Sequence, residues 1–231
     1  AVVDTVQGKA EEIVRELTLH VGERSTLLCV SLVHPSSSHV RYVQRSIVEA
    51  DGKIHWWNAV CGGSTVHHDL VSEVVGENGE STIDWVFLAQ GKQQYDLSVQ
   101  NIFHSSHGRG EVTVKGVASD HAHVGCHGAI VIGEGGGGTN THLTQHVLML
   151  DATTKVDAVP ALEIKTNDVK ASHSATVTKV SEDDLFYMTS RGLLPKEARQ
   201  LYIDGFLGER IARIPVAPVW KEVIQILGRE K

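Results

Sequence analysis

Val156-Asp157-Ala158-Val159-Pro160-Ala161-Leu162-Glu163-Ile164 is followed by Asp168-Val169-Lys170-Ala171-Ser172-His173-Ser174-Ala175-Thr176-Val177, and then by Leu185-Phe186-Tyr187-Met188-Thr189-Ser190-Arg191-Gly192. The middle stretch alternates with period two, which places Val169, Ala171, His173, Ala175 and Val177 on one face of a strand. That face is small and apolar apart from His173, so an imidazole there is out of pattern. A core histidine satisfied by backbone groups and a functional histidine both remain open on this pattern alone.

After Thr178 the pattern changes to helix. Ser181-Glu182-Asp183-Asp184 reads as an N-cap with an acidic first turn, and Arg191-Gly192 as a basic end with a C′ glycine. Pro195 opens a second helix with Ala198, Leu201, Tyr202 and Phe206 on one stripe. A third is expected after Pro215 and Pro218, with Trp220, Val223, Ile224 and Leu227 at helical spacing. Helices this short are marginal alone and must pack on something. The chain therefore divides into a β part, residues 1–180, and a helical part, residues 181–231.

Upstream of these stretches the β pattern continues. No proline lies between Pro35 and Pro160, which suits a run of interior strands, because proline removes a ladder donor. Glu111-Val112-Thr113-Val114-Lys115 alternates in the same way. Turn signals recur at Asp51-Gly52, Asn78-Gly79, Gly91, Gly108–Gly110, Asp120, Gly135–Gly138, Asp151 and Asn167-Asp168, mostly about 12 to 17 residues apart. Regular strands without helices between them fit either a sandwich or barrel, or a β-helix of stacked coils. Asn78-Gly79 is the one Asn-Gly pair, so hairpin signals are sparse.

Composition narrows the function classes. There are 21 Lys+Arg against 28 Asp+Glu, a formal charge of −7, which argues against a general nucleic-acid or anionic-membrane binder. No window approaches 18 uncharged apolar residues. Charges at Asp4, Lys9, Glu11, Glu12, Arg15 and Glu16 break up any secretory h-region, and Cys29, Cys61 and Cys126 do not form a disulfide pattern. The expectation is a cytoplasmic protein.

Histidine is abundant, at 14 residues. His121-x-His123-x-x-Cys126-His127 is the densest group; on a strand, positions 121, 123 and 127 would share a face able to bind a first-row metal. The plainer alternative is a set of solvated or packed side chains. His67-His68-Asp69 and His104-Ser105-Ser106-His107 carry weaker signals of the same kind. Gly133-Glu134-Gly135-Gly136-Gly137-Gly138-Thr139 lacks the Gly-Lys-Ser/Thr ending of a phosphate loop and reads as a long turn. Trp56-Trp57 suggests a binding platform, but consecutive strand residues face opposite sides, so one of the two is expected in the core.

The three opening stretches closely resemble the C-terminal signature of the SufB/SufD family of iron–sulfur cluster assembly proteins: a P-x-LEI strand, a DVK-x-x-H-x-A-T segment and an LFY-x-x-SRG helix, continued here by Ala198 through Gly205-Phe206. Looser likeness upstream runs through Val75-Gly76-Glu77-Asn78-Gly79, Tyr95-Asp96, His104, Lys115-Gly116-Val117 and Gly128-Ala129-Ile130-Val131-Ile132, and the whole covers roughly residues 12–212. The resemblance implies a right-handed parallel β-helix with a small C-terminal helical domain. It implies a scaffold rather than an enzyme, without a stably held cofactor, on which an iron–sulfur cluster forms transiently at a dimer interface. The partners it implies are the ABC-type ATPase SufC, docked on the helical part through Leu185, Phe186, Tyr187, Arg191, Gly192 and Phe206, and a second β-helix chain, in a homodimer or in a heterodimer with a SufB-like subunit. His173 matches the family histidine at the subunit interface. The chain is shorter than typical members and reads as a compact one without their N-terminal helical domain.

Departures from the pattern lean towards SufD. SufB members carry a cysteine on the strand before P-x-LEI, and Gln145 stands at about that position here. SufB also flanks the matching histidine with glutamates, where this chain has Ser172 and Ser174. The competing reading is a His-metal β enzyme, cupin-like or a β-helix acting on carbohydrate. A cupin would follow His121-x-His123 with a nearby Glu, and a glycosidase needs paired carboxylates across a cleft; neither pattern stands out in the sequence.

Overall fold

A computed structural model of the chain describes residues 1–36, 38–214, 216, 221 and 223. Among them are thirteen strands: β1 (Val2–Val6), β2 (Glu12–Val21), β3 (Thr26–Val33), β4 (His39–Val48), β5 (Lys53–Val60), β6 (Thr65–Val74), β7 (Glu80–Ala89), β8 (Gln94–Phe103), β9 (Arg109–Ala118), β10 (His123–Ile132), β11 (Asn140–Met149), β12 (Lys155–Ile164) and β13 (Lys170–Lys179). Two helices follow, α1 (Glu182–Ser190) and α2 (Pro195–Ile211).

Odd-numbered strands build one sheet in the order β1-β3-β5-β7-β9-β11-β13, and even-numbered strands the other, β12-β10-β8-β6-β4-β2. Every pairing is parallel, so the chain winds from sheet to sheet as a parallel β-helix, and the antiparallel barrel or sandwich is ruled out along with the cupin-like alternative. The register Cys29↔Trp56↔Ile83↔Val112↔Leu143↔His173 gives 27 to 31 residues per coil. The turn signals in the sequence are therefore spaced at half a coil.

Stacked turns keep the coils in step. Arg24, Asp51, Asn78, His107 and Gly138 all have φ between 53° and 76°. Each donates its N–H to the carbonyl of Ala50, Glu77, Ser106, Gly137 and Asp168 respectively, one coil further on. Asn, Asp, His and Gly are the residue types that tolerate this left-handed conformation, and they fill four of the five positions for that reason.

Two apolar layers result. The first fills the lumen between the sheets and includes Trp56, Trp85, Phe87 and Phe103. The second lies outside the odd-numbered sheet, where Trp57, Val86, Val117 and Leu148 meet Ile203, Leu207 and Ile211 of α2. Trp56 and Trp57 do face opposite sides, but both are fully buried, one under each layer, so neither offers a platform. Pro160 sits on β12, an edge strand, where a missing donor is tolerated.

The helical signals hold at their ends and shift in the middle. Ser181 caps α1, accepting from the Asp184 N–H at 3.0 Å, while Gly192 has φ +97° just past its end. In α2 the buried stripe is Ala198, Ile203, Leu207 and Ile211; Leu201 of the expected stripe points to solvent, and Tyr202 and Phe206 are half-buried at its margin. Arg199 on Asp151 and Arg210 on Asp84, the latter at 2.8 Å, fasten α2 to the solenoid. The expected third helix falls mostly outside the described residues, Trp220, Ile224 and Leu227 included; Val223 is described and buried in the outer layer.

Candidate functional site

Both ends of the solenoid, β1/β2 and β12/β13, are edge strands among the described residues, and the C-terminal open end forms the candidate site. β13 pairs only with β11, and β12 only with β10, so each leaves one edge without a strand among the described residues. His173 lies on the inward face of β13, opposite Leu143, which is fully buried. Because no described coil stacks beyond β13, His173 is exposed rather than packed in the core. Ala175 and Val177 on the same face are exposed too, and Val156, Ala158, Pro160 and Leu162 on β12 are half-buried. The core-histidine alternative therefore does not apply to His173.

Gln145 sits one coil deeper on the same inward face, opposite Ala175. It is completely buried, donates Nε2–H to the Cys126 carbonyl at 3.3 Å and leaves Oε1 without a partner. Room for it comes from Gly128, where any Cβ would fall 2.7 Å from Gln145 Nε2. Ser172 and Ser174 point outward, Ser172 Oγ lying 2.7 Å from His142 Nδ1 and Ser174 donating to Thr144. Gln145 and His173 thus share a face, while Ser172 and Ser174 lie on the other.

Two of the three thiols lie in the lumen, and the third, Cys61, is half-buried against the outer layer, just after β5 rather than near His173. Burial pushes Cys29 up to about 11 and Cys126 up to about 12, so both stay protonated in the lumen. Cys126 is also separated from the histidines next to it. It points inward, His123 and His127 point outward, and His121 lies in the turn before β10. The structure does not bring the four together, and among the described residues no three His, Cys, Asp or Glu converge to hold a metal ion. His127 and His67 instead flank Asp96, at 3.6 and 3.5 Å.

His68 is the histidine that does lie in the core. It stacks on Tyr42 with ring centroids 4.6 Å apart, leans on Trp85 at 4.3 Å and shares a 2.9 Å hydrogen bond with Gln44. Complete burial lowers its pKa to about 3, so it is neutral. A polar chain through Gln44, Tyr42 and Asp4 leads from it to Arg15 at the first coil.

The proposed docking residues divide into two groups. Phe186 and Tyr187 are 72% and 60% exposed, and Leu194 and Leu201 near them in sequence also face solvent. Leu185 and Phe206 pack against the outer layer instead, with the Lys115 ammonium 4.7 Å from the Phe206 ring. Arg191 stacks over Tyr187 at 5.2 Å, and Gly192 forms the turn.

Comparison with known proteins accords with this architecture. A family model described as the SufBD core domain of SUF-system iron–sulfur cluster assembly matches residues 2–206. The chain is 27% identical over 211 residues to the iron–sulfur cluster assembly protein SufD of Bacillus subtilis, covering 90% of this chain and 48% of that protein. It is 31% identical over 156 residues to a SufBD family protein of Synechocystis, covering 68% and 34%. A Mycobacterium leprae protein of the same family is 26% identical over 173 residues, covering 75% and 20%. The chain thus spans about half the length, or less, of these relatives. Among the described residues no helix is long and apolar enough to cross a membrane.

Proposed function

The chain belongs to the SufBD family of iron–sulfur cluster assembly proteins, and we propose from that premise that it is a scaffold subunit, with ATP hydrolysis left to a separate SufC-like ABC-type ATPase. The observation that carries this reading is the fate of one inward column. It is sealed from Cys29 through Leu143 and comes to the surface at His173, beside two strand edges that no described strand pairs. Such edges are templates for a second chain, and a second β-helix docked there would enclose His173 between subunits. A neutral imidazole is a competent iron ligand through one nitrogen. With Cys29 and Cys126 protonated in the lumen, Cys61 on the outer layer after β5 and Gln145 in place of the cysteine, thiolates for a cluster at His173 would come from the other chain. The second chain is either a copy of this one or a SufB-like subunit.

The exposed apolar side chains Phe186 and Tyr187 of α1 support the ATPase contact. Removing the helices would uncover the Trp57 layer and confound the result, so point variants are the cleaner test. Phe186→Ser with Tyr187→Ser is expected to weaken binding to the ATPase by about tenfold or more without changing the melting temperature, as truncated aromatic anchors do at interfaces. Undiminished binding by that double variant, measured by titration calorimetry, rules out α1 as the docking surface.

A further inference from the structure

The glycine-rich turn 133–138 joins β10 to β11, and in sequence it lacks the lysine a phosphate loop requires. The coils before and after it supply the cations. Arg109, Asn140 and Lys170 are the first residues of β9, β11 and β13 and lie in register. Neighbouring strands are about 4.8 Å apart, so the two cationic residues start roughly 10 Å apart and their side chains can close on one small ion. Together with Gly138, Thr139 and Asn167 through Val169 they line a polar cleft of about 580 Å³.

The cations there are not neutralised by the fold. Glu80, in register with Arg109 on β7, is held by Lys53 at 2.9 Å, and Glu111 faces Arg210 at 3.9 Å. Neither Arg109 nor Lys170 has an ion pair among the described residues. Asp168 is the single carboxylate of the lining, so the cleft keeps one positive charge in excess. Its backbone carbonyl accepts the Gly138 N–H at 2.6 Å, tying the glycine turn to the next coil. At Gly138, with φ +76°, a Cβ would come within 2.3 Å of His107 Nδ1, so the wall of the cleft there must stay bare backbone.

We propose that this cleft binds a small oxyanion of the phosphate class. Arg109 would take two oxygens through its guanidinium fork, Lys170 would supply a point charge from the far side, and the Asn140 amide would donate between them. This site is separate from the cluster reading and stands on register and charge alone.

The test is a titration of the whole chain with inorganic phosphate at low ionic strength, followed by calorimetry and amide chemical shifts. Saturable binding is expected, with shifts centred on residues 109, 138–140 and 168–170. Arg109→Gln and Lys170→Gln should each weaken it by about tenfold, and the double variant should abolish it, as loss of charge-assisted hydrogen bonds does. Lys155→Gln, which removes a cation on the other sheet, should leave affinity unchanged. In a parallel arm with ADP, tighter binding than phosphate supports a nucleotide as source of the anion, and equal or weaker binding supports the free ion. The proposal is overturned if the unaltered chain shows no saturable shifts, if the double variant binds as well as the unaltered chain, or if Lys155→Gln loses as much as Arg109→Gln.

Discussion

One column of inward positions behaves in two ways along this molecule. Cys29, Trp56, Ile83, Val112 and Leu143 occupy equivalent places in successive coils, and each has a relative exposure of 0%. The next position is His173, and it meets solvent. Backbone geometry is the same at both places; what differs is whether another coil lies on top. In a solenoid each coil covers its neighbour, so a residue becomes core or site according to its place in the stack. The same logic explains why polar side chains inside the stack, such as Gln44 and His68, bond to each other, whereas His173 is left for a partner.

The largest expected effect is in the sealed part. Trp56 fills the lumen and donates its indole N–H to Ser46 at 3.1 Å. Trp56→Ala is expected to cost about 3–5 kcal/mol in urea unfolding, the usual cost of a large aromatic cavity. A loss under about 1 kcal/mol would mean the lumen collapses around the gap, and the contrast with the open coil would fail.

Much of this contrast was legible in the sequence, and its limits have physical causes. Period-two alternation at Val169 through Val177 correctly set His173 on the inward face. Alternation cannot say which coil is terminal, because burial there depends on contacts between residues about 30 positions apart. Trp57 fails for a similar reason: facing outward normally means facing water, but α2 lies over that side. His121, His123, Cys126 and His127 looked like one cluster because they are close in sequence. The pleat sends Cys126 to the lumen and the histidines outward. Arg109 and Lys170, which the fold does bring to one cleft, carry no local signal; only the register of the coils relates them.

A middle-sized effect comes from acid. His68 has a folded pKa near 3 against an ordinary value of 6.5, so between those values the unfolded chain binds the extra proton. Stability attributable to His68 is therefore complete above about pH 6.5 and falls as the pH drops towards 3. His146, lowered by burial and by Lys115 and Arg210, adds in the same direction. Asp4, where burial is outweighed by hydrogen bonds from Arg15 and Tyr42, and Asp151, held by Arg199 against burial, keep their contributions down to about pH 3.8 and lose them only as the pH falls below it. His68→Phe should flatten most of the stability change between pH 6.5 and 5, read from urea midpoints. An unchanged slope would show that the lumen is not dry around His68.

The smallest effect on folding, and the sharpest on function, is expected at His173. The side chain is exposed, and it has no hydrogen-bond partner among the described residues, so His173→Ala leaves no buried group unpaired. Stability should change by less than about 0.5 kcal/mol, as for other exposed positions. Cluster formation in the reconstituted complex, followed by its visible absorbance, should fall severalfold or more, because the imidazole is what this chain presents at its open end. Lys92→Gln is a useful companion: Lys92 is exposed in the turn between β7 and β8, away from the open end, and its loss should leave cluster formation intact. If His173→Ala assembles clusters at the unaltered rate, the imidazole is not a ligand. If it unfolds the chain, the last coil is core like the others, and the distinction drawn from the column disappears. If Lys92→Gln loses cluster formation equally, the loss is not specific to the open end, and His173 has no special part in it.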